Sequence, residues 1–282
     1  MVREERHDDV VRVVFNTPSS RSMGFDVSTY AVRGIVIDSA FSDVGDELEQ
    51  WLDANGPRGM IVTHYHEDHA GNVERVAQRG LPLWIAPQTL THLTQPEPIG
   101  WYRRWCWGVQ PALMVPITPF VPDGLELIET PGHSNDHHVV WDASTRTVFG
   151  ADLFLGVKVR VSHPPQREDV RAQMASLRRV IALNPLRYFD AHRGLVPNAV
   201  TQLQKKLAWM EETVTSIDAL INQKLDDRAI VKRAFGGEDR MGLITFGDYS
   251  RKNFVASVRI TASSQTPLLT ATDSAPAYRT NV

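Results

Sequence analysis

Three imidazoles and a carboxylate fall within six residues of this 282-residue chain, where His64, His66, Asp68 and His69 stand in the order His-x-His-x-Asp-His. Neutral imidazole nitrogens and carboxylate oxygens are ligands that zinc, iron and manganese accept. An apolar run, Gly59-Met60-Ile61-Val62, leads into the cluster, and the segment from Ala70 to Val76 reads as the start of a helix. The ligand types therefore sit on a turn between a buried strand and a helix, where side chains converge. His64 and His66, two apart on an extended backbone, point the same way, and Asp68 and His69 reach a second point nearby from the turn. Histidines are common at exposed turns, and a pair two apart would ordinarily mean nothing. Three histidines and an aspartate directly after an apolar strand point instead to metal binding.

The rest of the chain supplies elements that could bring further ligands to the same place. Val10 to Phe15 is a β-rich run ending at a Thr-Pro-Ser-Ser turn, and Tyr30 to Asp38 reads as a hairpin broken at Arg33-Gly34. Asp46 to Asn55 is an amphipathic helix stopped by Gly56-Pro57, Val73 to Arg79 a helix stopped by Gly80, and Leu83 to Ala86 a short buried strand. Pro111 to Pro122 and Leu125 to Thr130 are β-like. Beyond them come three more units in which a candidate ligand follows a strand: His133 on the turn after Thr130, Asp152 just past Thr147-Val148-Phe149, and His192 after Leu186 to Asp190. Alternating strands and helices of this kind indicate α/β layering.

Arg167 to Leu183 carries Val170, Met174, Leu177, Val180 and Ile181 on one helical stripe, which is a core face. Helices are expected over Pro197 to Ile221, Asp226 to Phe235 and Phe246 to Ile260. The chain thus divides into a core over 1–195, a helical extension over 196–260 packed on that core, and a Ser-, Thr- and Ala-rich tail over 261–282 expected to be disordered. One stretch breaks the rhythm: Trp101, Tyr102, Arg103, Arg104, Trp105, Cys106 and Trp107. Its aromatics and arginines suit the wall of a substrate pocket, the arginines holding a carboxylate or phosphate. They equally suit a helix that packs its tryptophans into the core or a homodimer interface.

The formal net charge of −3 provides no global basic field to recruit nucleic acid. A single cysteine, Cys106, excludes an internal disulfide framework. The charged N-terminal segment has no apolar signal core, and no apolar run approaches membrane-spanning length, so a cytoplasmic protein acting on a small molecule without a membrane partner is expected.

In order along the chain, Ile37-Asp38, the His64-x-His66-x-Asp68-His69 cluster, Gly132-His133-Ser134, Gly150-Ala151-Asp152 and Ala191-His192-Arg193-Gly194 resemble the binuclear hydrolases of the metallo-β-lactamase superfamily over roughly residues 25 to 195. The resemblance implies an α/β fold, an αββα sandwich with the metals at one edge between two mixed sheets, here with a C-terminal helical extension. It implies that His64, His66 and His133 bind one divalent ion, that Asp68, His69 and His192 bind a second, and that Asp152 bridges both. It makes Asp38 a brace for the histidine turn and sets His137 behind His133. Zinc is favoured by the ligand set, with iron or manganese accepting the same groups. The implied nucleophile is a metal-bridging hydroxide, with Asp68 both ligating and accepting a proton from the water.

Within the resemblance, histidine rather than glutamate at position 66 points away from the redox di-iron relatives. Asp152 in the bridging position points toward glyoxalase II-like thioesterases, lactonases and the phosphodiesterase and nuclease branch. No basic arm or second nuclease domain is evident, so no nucleic acid partner is expected. Hydrolysis of a small ester, thioester or lactone is the leading expectation, with Trp101, Tyr102, Arg103, Arg104 and Trp105 around the substrate. A phosphodiesterase, or a metal-binding effector module with negligible turnover, are the alternatives.

Overall fold

The computed structural model describes residues 2–263. Strands β1 (Val2–His7), β2 (Val10–Phe15), β3 (Val27–Val32), β4 (Ile35–Ile37), β5 (Gly59–Val62) and β6 (Leu83–Ile85) form a six-stranded sheet in chain order. It is antiparallel as far as β4 and parallel from β4 through β6. The parallel pairings need crossovers, and the helices Gly45–Asn55 and Val73–Gln78 make them. Strands β7 (Glu126–Glu129), β8 (His138–Asp142), β9 (Thr147–Phe149), β10 (Arg187–Asp190) and β11 (Gly194–Leu195) form a second, five-stranded sheet, with only β9 and β10 parallel.

The period-2 alternation of strand side chains builds three apolar layers from these two sheets. Ile35, Ile37 and Ile61 of the first sheet meet Val140, Phe149 and Phe189 of the second in the layer between them. The intervening residues Val36, Met60 and Val62 face the opposite way, under the helix carrying Leu48, Trp51 and Leu52 and the one carrying Val73 and Val76. Val139, Trp141, Val148 and Tyr188 face outward from the second sheet against the helices Val170–Ala182, Ala199–Asn222, Asp227–Phe235 and Arg251–Ser263. The result is the αββα arrangement, with the C-terminal helices in the outer layer over the second sheet.

Several local expectations are corrected. Pro111 to Pro122 forms no strand beyond an isolated bridge between Leu83 and Pro119, because four prolines in twelve residues remove the donors a ladder needs. Leu113, Val115 and Ile117 nevertheless pack on the outer core of the first sheet. Asp68 and His69 lie on a single helical turn, Glu67–Ala70, rather than on a loop before the helix. The last helix begins at Arg251 rather than Phe246, preceded by a short helix Arg240–Ile244. Thr261 to Ser263 continue that helix, and the remainder of the expected tail lies outside the described residues.

One contact ties the C-terminal helices to the loop after β9. Lys206, on Ala199–Asn222, is 1% exposed, and its ammonium donates to the carbonyls of Leu153 (3.0 Å) and Phe154. Burial pushes its pKa down to about 8. The folded value lies below the unfolded one, so the unfolded chain binds the extra proton between about pH 8 and the ordinary lysine range, and stability rises with pH across that window. Urea unfolding is expected to show the wild-type free energy of unfolding rising between pH 8 and 9.5 relative to Lys206→Met, as part of a rise of about 3 kcal/mol over the whole window. Parallel pH profiles for the two proteins would contradict the assignment.

Candidate metal centre

The turn following β5 carries His64 and His66, and the helical turn Glu67–Ala70 carries Asp68 and His69. His133 comes from the β7–β8 connection, Asp152 from the loop after β9 and His192 from the turn after β10. All lie at one edge of the sandwich because each is delivered by the end of a strand. Two groups of ligand atoms result: His64, His66, His133 and Asp152, and Asp68, His69, Asp152 and His192, with the atoms of each group within 4.8 Å of one another. Asp152 belongs to both.

Backbone geometry serves this convergence. Asp38, Ala151 and Leu155 adopt φ values of 67°, 41° and 49°, a left-handed conformation that non-glycine residues seldom take, and they flank the ligands on both sheets. Gly132, at φ 138°, precedes His133 where a side chain would run into the backbone of Gln173 at 2.3 Å. The His133 turn can therefore lie flat on the helix Val170–Ala182 only with glycine there.

The ring nitrogens that face away from the cluster fix the tautomers. His192 Nδ1 lies 2.8 Å from the carbonyl of Asp26, an acceptor only, so Nδ1 carries the proton and Nε2 presents its lone pair. His69 Nδ1 lies 2.8 Å from Asp38 Oδ2 and is fixed the same way. Thr63 donates its hydroxyl to Asp38 (2.9 Å), leaving its oxygen to accept from His64 Nδ1 at 3.1 Å. Asp38 also accepts from the Thr63 amide (2.8 Å), so a single carboxylate orients two imidazoles and the turn between them. Asp38→Asn is expected to weaken metal affinity about 10- to 100-fold, as read by competition with a chromogenic chelator. Unchanged affinity would remove Asp38 from this role.

These residues fit a divalent ion. His66 Nδ1 faces His64 Nε2 at 3.1 Å and His133 Nε2 at 2.9 Å, three ring nitrogens crowded together with too few protons to link them. His69 Nε2 and Asp152 Oδ1 are buried without a hydrogen-bond partner among the described residues. A cation at each convergence would satisfy all of these atoms. Burial, then the neighbouring imidazoles, holds His64 well below the ordinary histidine range, and burial, then Arg103, does so for His66, which keeps both neutral and able to ligate. At the second convergence burial also opposes charge, but Asp152 and the other nearby carboxylates outweigh it, raising His69 well above its usual value and His192 to about 9. A proton there is held by the same carboxylates that would hold a metal.

Some expected contacts are different. His137 does not brace the ring nitrogen of His133. Its Nε2 accepts from the Asp152 amide at 3.2 Å, and its Nδ1 meets Thr130 Oγ1 at 2.8 Å, so it holds the Asp152 loop. Behind His133 stands Glu168, 3.8 Å from Nδ1. The aromatic-arginine stretch is a helix, Trp101–Trp107, that splits its residues between two faces. Tyr102, Arg103, Cys106 and Trp107 border a cavity of about 120 Å³ beside the ligands, together with Met23, Phe25, Leu155, Met241 and Tyr249. Trp101 and Trp105 point to solvent, about half exposed, and Arg104 borders a separate surface depression. Arg103 is not free to bind a substrate anion, because it forms a two-point pair with Glu67 and its remaining nitrogen meets His163 Nε2 at 3.3 Å.

His163 and Glu168 were not foreseen. His163 Nδ1 donates to Glu168 at 2.8 Å, and Tyr102 Oη stands 3.1 Å from its Nε2 while donating to Asp248 at 2.8 Å. No strand leads into Ser162-His163-Pro164, so sequence spacing carries no sign of its place in the cavity wall.

Comparison with known proteins agrees with this geometry. A profile of the metallo-beta-lactamase superfamily matches residues 24–192, more than half of the chain and the stretch containing every candidate ligand. The beta-lactamase-like protein 2 homolog of Caenorhabditis elegans is 26% identical over 148 residues, which are 52% of this chain but only 45% of that relative. The probable metallo-hydrolase YqjP of Bacillus subtilis is 24% identical over 268 residues, covering 78% of this chain and 76% of its own. Among solved structures, a metallo-beta-lactamase family protein from Thermus thermophilus aligns with TM-score 0.65 at 15% identity over 91% of this chain and 94% of its own. A metallo-beta-lactamase from Pontibacter korlensis aligns with TM-score 0.60 at 16% identity over 75% and 99%. The chain belongs to the metallo-beta-lactamase superfamily, and its His and Asp cluster is a metal-binding site of that fold. Among the described residues no helix is long and apolar enough to cross a membrane.

Proposed function

We propose that the site is a two-metal hydrolytic centre for a small carboxylic ester, thioester or lactone. The observation that carries this reading is the pair of ligand groups sharing Asp152 and opening onto a cavity whose own charges are already matched. His64, His66, His133 and Asp152 would hold one ion, and Asp68, His69, His192 and Asp152 the other, zinc suiting the donor set. Bound there, the ions would polarise a substrate oxygen and bring the pKa of water toward neutrality.

The chain's residues favour a neutral reacting group. Apart from the ligands, the charged side chains of the cavity are Arg103, matched by Glu67, and Glu168, matched by His163. Beyond the ions themselves, neither leaves a free side-chain cation for the negative charge of a phosphodiester, whereas Met23, Phe25, Leu155, Trp107 and Met241 offer apolar surface to an acyl group. Cys106 borders the cavity, but burial, and then Asp68 and Glu67, push its thiol up to about 11. It stays a neutral thiol near pH 7 and is not the nucleophile, which leaves that role to water. Asp68, ligand and cavity wall at once, is placed to take a proton from it.

The test is hydrolysis by zinc-, manganese- and iron-reconstituted protein of acyl thioesters and lactones beside an aryl phosphodiester. Acyl turnover supports the reading. Phosphodiester turnover alone replaces it with the phosphodiesterase, and metal-loaded protein inert to all three replaces it with a metal-binding effector.

A further inference from the structure

The segment leaving the Asp152 loop runs Leu155-Gly156-Val157-Lys158-Val159-Arg160-Val161. Its valines are half-buried while Lys158 and Arg160 are exposed, so the two cations, two residues apart, project to one side. They line a surface groove of about 430 Å³ with Arg193 and Arg251. The groove has one acid, Asp239, and Arg251 takes it through Nη2 at 2.8 Å while its Nη1 donates to the carbonyls of Phe235 and Gly237. Arg193 spends only its Nε, on the Leu155 carbonyl at 2.9 Å. Lys158 and Arg160 have no side-chain partner among the described residues. In a chain with 33 acidic and 30 basic residues, three uncommitted cations in one groove are a local reversal of sign.

The groove adjoins the metal centre. Leu155 borders both spaces, and Arg193 directly follows the ligand His192. The cavity at the ligands is the smaller of the two and its charges are matched; the groove is larger and basic. A ligand spanning both would be apolar and neutral at one end and polyanionic at the other.

We propose that the groove holds the phosphorylated end of an acyl thioester whose carrier thiol bears a nucleotide bisphosphate, with the acyl group in the metal cavity and the phosphates against Lys158, Arg160 and Arg193. This rests on the hydrolase reading above and names its substrate class. Guanidinium groups meet phosphate oxygens two at a time and lysine adds a point charge. In the reaction water forms the new C–O bond, the C–S bond breaks, the carrier leaves as a thiol and the acyl group as a carboxylate with release of a proton.

The test separates binding from turnover. Titration calorimetry of adenosine 3′,5′-bisphosphate, which carries the phosphates but no thiol, is run on the zinc-loaded protein and on the Lys158→Glu/Arg160→Glu variant. Both positions are exposed, so the fold tolerates the change. Binding that weakens with salt and falls at least ten-fold in the variant is expected. So is an at least ten-fold fall in the ratio of kcat/KM for acetyl-coenzyme A to that for S-acetyl-N-acetylcysteamine, which lacks phosphates. No binding to the wild type, equal binding to both proteins, or binding that survives in the variant but disappears with the zinc overturns the proposal. Binding of a single-stranded RNA oligonucleotide in place of the bisphosphate also overturns it. Loss of bisphosphate binding in the variant, with no thioester hydrolysed by the wild type, overturns the thioester assignment while leaving the groove a phosphate site, and the hydrolase reading falls with it only if lactones are inert as well.

Discussion

Asp152→Ala is expected to lose hydrolysis to background and to release metal from both convergences at once. Its carboxylate is 3.3 Å from His192 Nε2, 3.2 Å from His69 Nε2 and 3.2 Å from His133 Nε2, so it stands between the two ligand groups rather than within one. It is nearly buried and, although burial opposes its charge, His69, His192 and His133 hold its pKa well below the usual carboxylate range. Its removal takes a negative charge from two sets of imidazoles together, a larger loss than the ~10–100-fold typical of a partner that only orients a ligand. His192→Ala, by contrast, removes a ligand from one group alone. Metal analysis by plasma emission, with activity measured on the same samples, separates them: both ions should fall in Asp152→Ala and one in His192→Ala. Full metal content or full activity in Asp152→Ala would end the shared-ligand assignment.

Arg103→Met should destabilise the protein by about 3–5 kcal/mol, because it abandons a buried carboxylate. Glu67 is 3% exposed and its two oxygens are both taken by Arg103, at 2.8 Å for the Nη2 bond. For a chain of this size the melting temperature should drop by roughly 10 °C. The double variant Arg103→Met/Glu67→Gln should recover most of that, since removing both charges leaves no ion unpaired. Had Arg103 been a receptor for a substrate carboxylate, the single variant would instead raise KM at unchanged melting temperature, and that result would reverse the role given to it here.

The two arginines of the 101–107 helix show what local sequence can and cannot reveal. Composition marked the stretch as unusual, and half of it does face the cavity. Which half depends on how the helix is rolled against Glu67 and His163, both brought there by other parts of the chain. The strand-end motifs were legible for the opposite reason. The apolar run of β5 and the His-x-His-x-Asp-His cluster are adjacent in sequence, so local backbone alone aims them. Their outward-facing partners were harder. The Asp26 carbonyl meets His192 across 166 positions, and no spacing rule reaches that far. The α/β layering followed from the alternation of strands and helices and the αββα sandwich from the family resemblance, yet β1 escaped notice because Val-Arg-Glu-Glu-Arg-His is a charged edge strand. Such strands are kept polar against edge-to-edge association, and their pairing is imposed by the neighbour.

Lys206 lies fourteen positions beyond the last residue that the chain shares with the family profile (206 − 192), yet it clasps the carbonyls of the two residues next to Asp152. The boundary of the family profile is therefore not a mechanical boundary in this molecule. The portion that defines the family depends on a clasp from an appendage that the family region does not include. A minimal catalytic fragment cut at residue 192 would arrive with its shared ligand unsupported from behind. A chimaera that exchanged the appendage for a relative's would need a buried donor at the same height on its first helix. The helices after β11 behave less as an addition than as the back half of the mount in which Asp152 is set.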